Sequence, residues 1–276
     1  MSELARGAAV KMRIDLQDPA QYQMRLGEEE LPLNELLGQS LQLEFLGEIN
    51  CVHCQRKTSK SFAQGYCWPC FKGLAQCDSC IMSPEKCHYD AGTCREPEWG
   101  EVNCMIDHFV YLANSSSVKV GITRGTQLPT RWLDQGAVQA LPIFRVKTRQ
   151  QSGFVEDALR AHVSDRTSWQ AMLKGDPEPI DLAAQRDQLM ELCSHELDEL
   201  QQRFGLQAIQ PLDDAEVTSI SYPVLEYPKK VKSFNLDKLP QAEGTLLGIK
   251  GQYLIFDTGV INVRKYTGYQ LALRKI

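Results

Sequence analysis

The cysteines of this chain are concentrated in one short segment, and their spacing restricts what that segment can fold into. Nine of the ten lie between residues 51 and 104. The first four form two close pairs, each with two intervening residues, and twelve residues separate the pairs. Two such pairs can bring four thiolates to the corners of a tetrahedron around Zn²⁺. The spacing therefore predicts a zinc ribbon held by Cys51, Cys54, Cys67 and Cys70.

The remaining cysteines of the segment are enough for a second metal site. The regular gaps predict as its ligands Cys77, Cys80, Cys87 and Cys94. His88 and Cys104 compete for the last positions, and an interleaved pairing of the first and third cysteine pairs also fits the spacing. One or two zinc ions are expected, and they would be structural because four thiolates leave no open coordination position. An iron–sulfur cluster at the second set would use the same thiolates.

Compartment and architecture follow from the rest of the composition. Close cysteine pairs without a signal peptide favour metal binding in a reducing cytoplasm over disulfides. No apolar run approaches the roughly 20 residues that span a bilayer, so no membrane partner is expected. A chain of 276 residues exceeds the common size of a single domain and predicts several modules.

The hydrophobic periodicity predicts an α+β fold in five segments. These are an N-terminal β segment (1–50), a Cys-rich zinc-binding module (51–106), an α/β module (107–175), an amphipathic helix (176–210) and a C-terminal β domain (211–276). The helix is predicted as one long element over 180–204, with its acidic residues on the face opposite the apolar one. The C-terminal strands predict an antiparallel meander or a small barrel, which the N-terminal strands could complete.

The α/β module begins with an alternating pattern at 108–113, a serine-rich turn and a second strand at 118–123, which together predict a β-hairpin. A helix is predicted after Thr130, a third strand at 141–148 and a second helix at 153–164. This order of elements, with the residues that follow, resembles the GIY-YIG nuclease superfamily over roughly 107–170. The likeness is to its divergent branch, in which the second motif reads K-[IV]-G-x-T. The residues that match its motifs are Tyr111, Lys119, Val120, Gly121, Arg131 and Glu156.

The resemblance implies a phosphodiester-binding site in this module. Glu156 would hold a divalent metal such as Mg²⁺, Arg131 would bind phosphate through its planar guanidinium, and Tyr111 would position or deprotonate a nucleophile. Lys119 stands where the superfamily has its second tyrosine. The late asparagine of active members has no match, because Gln150 and Gln151 precede Glu156.

A second resemblance covers nearly the whole chain. The motifs C-D-x-C-I from Cys77, K-V-G-I-T-R from Lys119 and W-x-D-Q-G-A from Trp132 are similar to those of a bacterial family known as a domain of unknown function. That likeness implies no activity.

Charge is distributed unevenly although the formal net charge is −5. Residues 118–150 carry six Lys or Arg against one Asp, whereas 176–203 carry eight acids against two bases. Local field rather than net charge steers a phosphate backbone. The predicted nucleic-acid-binding residues are therefore Lys119, Arg124, Arg131, Arg145, Lys147 and Arg149. A solvated surface without a ligand is the alternative interpretation of the same charges.

Three functional hypotheses remain open from the sequence. The first is a cytoplasmic zinc-binding protein that binds RNA or DNA through the GIY-YIG-like module without retained catalysis. The second is an active metal-dependent nuclease that uses Tyr111, Lys119, Arg131 and Glu156. The third is a structural adaptor that holds a protein partner through its acidic helix and C-terminal β domain.

Overall fold

The protein is described here by a computed structural model, which covers residues 2–164 and 166–276. Its fold is α+β with antiparallel sheets. The strands are β1 (Ser2–Ala8), β2 (Arg13–Asp15), β3 (Gln21–Leu26), β4 (Glu29–Pro32), β5 (Ser40–Ile49), β6 (His108–Asn114), β7 (Val118–Arg124), β8 (Gln139–Val146), β9 (Ile209–Pro211), β10 (Thr218–Ser219), β11 (Gln241–Lys250), β12 (Tyr253–Phe256), β13 (Gly259–Asn262) and β14 (Tyr269–Lys275). The helices are α1 (Trp68–Gly73), α2 (Pro97–Asn103), α3 (Thr130–Asp134), α4 (Arg149–Leu159), α5 (Trp169–Met172), α6 (Leu182–Leu192) and α7 (Ser194–Phe204).

The largest sheet joins the two ends of the chain. Its strand order is β1-β14-β5-β11-β12-β13, so the first and last predicted segments share one sheet. β1 and β13 lie at its two edges, so the sheet is open rather than a closed barrel, and the predicted meander is limited to β11, β12 and β13. A separate three-stranded sheet, β2-β3-β4, covers it, and both contribute to one apolar core that includes Tyr22, Leu43 and Leu271.

The predicted hairpin is present and forms one side of a second sheet, of order β10-β8-β6-β7, in which β7 is an edge strand and β9 also pairs with β8. Side chains alternate between its two faces, as the period of a strand requires. Tyr111 and Ala113 face the core of the large sheet. Val110 and Leu112 face a second core, against which the helices pack. The hairpin therefore carries Tyr111 on the face that is turned toward the C-terminal strands.

The long helix predicted over 180–204 is divided into α6 and α7. Cys193 adopts φ −105° and ψ 15° between them, which interrupts the regular helical geometry. Leu189, Cys193 and Leu197 are nevertheless all buried in the second core, as the apolar spacing predicts. The interruption therefore keeps one apolar face, and the hydrogen bonds from the Cys193 N–H to the Leu189 carbonyl and from the Leu197 N–H to the Cys193 carbonyl continue across it.

The cysteine-rich segment has little regular structure. It contains two short helices, α1 and α2, and three 3-10 turns at Ala75–Cys77, Ser79–Ile81 and Pro84–Lys86. Its buried cluster consists mainly of sulfur-bearing side chains. A segment so poor in apolar core is typical of one that a metal holds in place.

Among the helices that the structure describes, none combines the length and the apolar character needed to cross a membrane.

Candidate functional site

A tight turn and a short helix bring the first four cysteines together. The turn follows β5, where the Cys51 N–H donates to the Arg56 carbonyl over 2.9 Å. Cys67 precedes α1, and Cys70 lies in its first turn. The four Sγ atoms all lie within 4.8 Å of one another, and those of Cys54 and Cys67 are 3.7 Å apart. This donor set forms a metal-binding site whose geometry and chemistry are consistent with zinc.

The thiols of Cys54 and Cys70 differ in pKa because their surroundings differ. The Arg56 Nε–H donates to the Cys54 Sγ over 3.4 Å, and this cation lowers the pKa of Cys54 to about 6. Burial raises the pKa of Cys70 to about 12. A metal must displace the protons of all four thiols, so binding here releases protons and weakens in acid.

A group of three aromatic rings, of which Trp68 is exposed and Phe62 and Phe71 are partly buried, lies at the surface of this ribbon. The ring centroids of Phe62, Trp68 and Phe71 are 5.1 to 5.7 Å apart, and Trp68 is 52% exposed. The Lys60 Nζ lies 5.3 Å from the Phe62 ring centroid and the Lys72 Nζ 5.6 Å from that of Trp68. We call these five residues the aromatic–basic cluster.

A groove of about 760 Å³ adjoins this cluster through Lys60. Its wall includes Arg264 and Lys265 from the turn before β14, and the ring pair Trp169 and Tyr253. The two rings of that pair are parallel within 2°, with centroids 5.9 Å apart. The groove therefore combines cations and aromatic faces from the segment of the first four cysteines, from α5 and from the C-terminal sheet.

The groove is connected to α3 through Arg264. Its Nη1 lies 3.8 Å from the Asp134 carboxylate, which also accepts a hydrogen bond from Lys11. Burial lowers the pKa of Arg264, Asp134 opposes this change, and the positive charge of Arg131 adds to it. The positive charge of Arg131 therefore acts on the Arg264 guanidinium.

Three of the residues predicted from the superfamily likeness come together around one phenol. Tyr111 is fully buried, and its hydroxyl donates to the Gln135 Oε1 over 2.9 Å. Burial raises its pKa, Arg131 opposes this change, and Glu156 adds to it. Arg131 and Glu156 therefore lie close to the phenol. A phenol in this state stays protonated at neutral pH, so it can donate a hydrogen bond but is not a base.

Lys119 has a different environment from the other three. It is only 3% exposed, and its Nζ donates to the Thr167 hydroxyl. The segment after α4 runs beside it, where the Val120 N–H donates to the Ser164 carbonyl over 2.8 Å. Burial makes Lys119 an internal group rather than a surface contact for a phosphate backbone.

The other predicted basic residues divide into two groups. The charges of Arg124 and Arg149 both lower the pKa of the buried His108, and that of Arg131 lowers the pKa of Arg149. The charges of Arg124 and Arg149 thus act on one buried ring, and that of Arg131 acts on Arg149. Arg145 and Lys147 are exposed at the end of β8, and the Arg145 Nε–H donates to the Asp107 carboxylate over 2.9 Å.

The later cysteines of the segment lie at two different places in the fold, and their spacing in the sequence does not indicate this division. Cys77 packs against the first cysteine cluster. A second small cavity is lined by Cys80, Cys87, Cys94 and Cys104. Burial raises the pKa of Cys80 to about 11, and Asp78 and the three other thiols add to this shift. Asp78, Cys80 and His88 also have potential ligand atoms within 4.8 Å of one another.

Comparison with known proteins gives a family. Residues 38–271 match a family model described as "Protein of unknown function (DUF2797)". The chain belongs to this family. No curated protein and no solved structure matches the chain.

The family match includes both cysteine sets, the hairpin, α3, α4 and the groove, whereas β1 to β4 lie before it. Several residues of these sites were not singled out by the sequence. They are Phe62, Trp169, Tyr253, Arg264 and Lys265. Phe62 follows Lys60 by two residues in the ribbon and could have been found from the basic and aromatic pattern there. The other four come from distant segments, and no local signal brings them together.

Proposed function

We propose that this protein is a cytoplasmic zinc-binding protein that binds nucleic acid. The observation that carries the proposal is the aromatic–basic cluster, which opens into a groove with further cations and rings. Aromatic faces stack on bases, and flanking lysines and arginines hold phosphates. In this proposal the first four cysteines hold zinc as a scaffold, and the ribbon surface contacts the ligand.

The charge distribution supports the same surface. Lys60, Arg264 and Lys265 line the groove, with Asp237 as its only acidic wall residue, among the described residues. The acidic helices α6 and α7 pack on the other face of the β6–β8 sheet, against the second core. Local positive potential can therefore coexist with a net charge of −5.

Binding is tested by fluorescence anisotropy with labelled single-stranded and duplex RNA and DNA at several salt concentrations. The association constant should fall steeply as salt rises, because bound phosphates release counterions. Trp68→Ala should weaken binding by roughly 10-fold, since one base stack is worth about 1–3 kcal/mol. Leu206→Ala is the matched control, since Leu206 is a 70% exposed apolar residue that follows α7. Failure to bind any of these ligands at low salt would refute the proposal.

Phosphodiester cleavage is the second candidate function, and the convergence of Tyr111, Arg131 and Glu156 favours it. A divalent cation on Glu156 would neutralise charge on the scissile phosphate. Arg131 would hold a non-bridging oxygen, and the Tyr111 phenol would orient the Gln135 amide by hydrogen bonding. Because burial keeps that phenol protonated, another group would have to accept the proton of the nucleophile.

Cleavage is tested with Mg²⁺ or Mn²⁺ on a panel of RNA and DNA substrates. Activity should be lost in Glu156→Gln and in Arg131→Ala, and retained in Asp157→Asn. Asp157 is the neighbouring exposed carboxylate on α4, which pairs with Arg160 instead. Equal activity in Glu156→Gln and Asp157→Asn would show that cleavage does not occur at this site. If the wild type cleaves none of the substrates, nucleic-acid binding without cleavage is the function that stays proposed.

A further inference from the structure

The second small cavity has an unusual lining for its size. Its volume is about 20 Å³, and four of its ten lining residues are cysteines. Each comes from a different piece of the segment: Cys80 from the turn Ser79–Ile81, Cys87 from just after the turn Pro84–Lys86, Cys94 from the loop before α2, and Cys104 from just after α2. Four turns of chain thus bring four cysteines to one small cavity, although their Sγ atoms do not all lie within 4.8 Å of one another as those of the first four cysteines do.

The rest of the lining is mainly apolar and gives the thiols few alternative partners. Ala75, Ile81, Tyr89 and Trp99 surround the cavity. Gly100 closes one side, where a Cβ would lie 3.5 Å from the Cys94 Sγ and 3.1 Å from the Tyr89 ring. Four cysteines that line one small cavity, in a segment with almost no apolar core of its own, supply the donor type of a structural metal centre.

We propose that Cys80, Cys87, Cys94 and Cys104 ligate a second metal centre, which is independent of the first four cysteines and of the proposed nucleic-acid binding. Thiolate ligands select a soft metal, which here means a zinc ion or an iron–sulfur cluster. This set replaces the one that the cysteine spacing predicts, with Cys104 in place of Cys77.

Asp78 and His88 are not ligands of this centre, although they lie near Cys80. The Asp78 Oδ1 accepts from the Ser79 N–H over 2.6 Å. Its Oδ2 lies 2.8 Å from the Arg95 Nε and 3.4 Å from the His88 Nε2. Both carboxylate oxygens are therefore engaged, and the adjacent guanidinium would repel a cation. Asp78 instead links its own turn to the segments that contain His88 and Arg95, beside the cavity.

The backbone between Cys77 and Cys80 places their side chains in different clusters. It ends one 3-10 turn, and Cys80 lies in the next. Asp78 between them is extended, with φ −70° and ψ 156°. Cys77 consequently packs beside the first cluster while Cys80 reaches the second cavity.

The second centre also supports the start of α4. The Arg149 N–H donates to the Cys104 carbonyl over 2.8 Å, and the Arg149 Nη2 to the Ile81 carbonyl over 2.7 Å. The Gln150 Nε2 donates to the Cys87 carbonyl over 3.0 Å. Ligation of these cysteines would therefore fix the first turn of the helix that carries Glu156.

The ligand set is tested by measuring metal per chain in the purified full-length protein and in single variants. The wild type should hold two centres, seen as two zinc ions or as one zinc ion with an iron–sulfur chromophore. Cys104→Ser and Cys94→Ser should each lose the second centre and keep the first, and Cys67→Ser should do the reverse. Cys77→Ser and His88→Ala should keep both. One centre in the wild type, or loss of a centre in Cys77→Ser or His88→Ala, would overturn the assignment.

A measurement on the wild type alone covers the case in which a serine variant does not fold. X-ray absorption at the metal edges counts the sulfur neighbours of each metal. Cysteine-only coordination at both centres predicts sulfur scatterers without a nitrogen or oxygen contribution from protein ligands. A mixed shell with imidazole scattering would show that His88 is a ligand and would refute the four-cysteine set.

Discussion

Gly121 lies directly against the phenol of Tyr111 across the β6–β7 hairpin. The two residues are paired in register, and a Cβ on Gly121 would come within 2.7 Å of both the Tyr111 Cζ and its hydroxyl oxygen. Only a residue without a side chain leaves room for the ring at this point. The position of the phenol, and with it the hydrogen bond to Gln135, depends on this glycine.

Gly121→Ala should destabilise the protein and displace the Tyr111 ring. The ring is fully buried, so it cannot move aside without disturbing the core, and overpacking of this kind costs about 1–3 kcal/mol. Urea unfolding followed by tryptophan fluorescence measures the loss. Gly175→Ala is the control, because a Cβ there meets nothing within 4 Å, and it should change stability by less than about 0.5 kcal/mol. Equal stability of the two variants would contradict the packing described here.

His108 should titrate far below the usual range for histidine. Its side chain is fully buried, its Nδ1 lies 2.8 Å from the Ile106 carbonyl oxygen, and its Nε2 has no hydrogen-bond partner among the described residues. Burial lowers the pKa to about 4, and Arg149 and Arg124 contribute. The ring is therefore neutral when the protein is folded but takes up a proton below about pH 6.5 when it is unfolded.

The sign of the pH effect follows from that difference. Between about pH 6.5 and 4 the unfolded state binds the extra proton, so acidification removes stability, by on the order of 3 kcal/mol for this group. The titration is measured by NMR of the imidazole C–H signals, and His108→Asn identifies the resonance by its disappearance. A midpoint near 6.5 for that resonance would show that His108 is not buried as described.

Local patterns predicted those parts of the molecule whose partners are close in sequence. The hairpin over His108–Asn114 and Val118–Arg124 was predicted to within one residue, because alternation and a serine-rich turn specify it without help from the rest of the chain. The first four cysteines form the predicted cluster for the same reason, since all their spacing is short.

Local sequence patterns did not predict which distant segments of the chain lie together. The C-x2-C spacing suggests that Cys77 and Cys80 share a metal, yet two successive 3-10 turns direct them to different clusters. Arg264 lies 133 residues after Arg131 in the sequence, and only the packing of the C-terminal sheet on the hairpin brings them together. The helix over 180–204 was predicted from one continuous apolar face, which an interruption at Cys193 preserves.

Arg56 should control the acid sensitivity of the first metal site. Its guanidinium is the main cause of the low pKa of Cys54, so without it protons compete better for that thiolate. In Arg56→Ala, metal release on acidification should therefore begin at higher pH than in the wild type, as followed with a chromogenic chelator. Lys57→Ala is the control, because the Lys57 Nζ pairs with Glu48, 2.9 Å away. A release midpoint that is equal in both variants would contradict the role of Arg56.

Replacing Asp176 should lower the free energy of unfolding more than replacing Lys250. The Lys250 side chain is completely buried, whereas that of Asp176 is 53% exposed, and the Nζ and Oδ1 are 2.6 Å apart. The Lys250 Nζ also lies 5.6 Å from the Tyr222 ring centroid and 5.2 Å from that of Tyr227. Removing the negative charge leaves a buried cation whose other neighbours in the described part of the chain are the Gly175 carbonyl and these rings. Removing the lysine leaves a carboxylate that water can reach and that still accepts a hydrogen bond from the Tyr227 hydroxyl over 2.7 Å.

Asp176→Asn should therefore lower the free energy of unfolding by roughly 1–3 kcal/mol, and Lys250→Met should lower it by less. The reason is that an unpaired buried charge is more destabilising than an apolar side chain of similar volume. The double variant should be about as stable as Lys250→Met alone, since the carboxylate has no cation left to stabilise. Urea unfolding of all four proteins gives the coupling free energy directly. Additive losses in the double variant would show that the two groups stabilise the fold independently and that the ion pair between them contributes nothing.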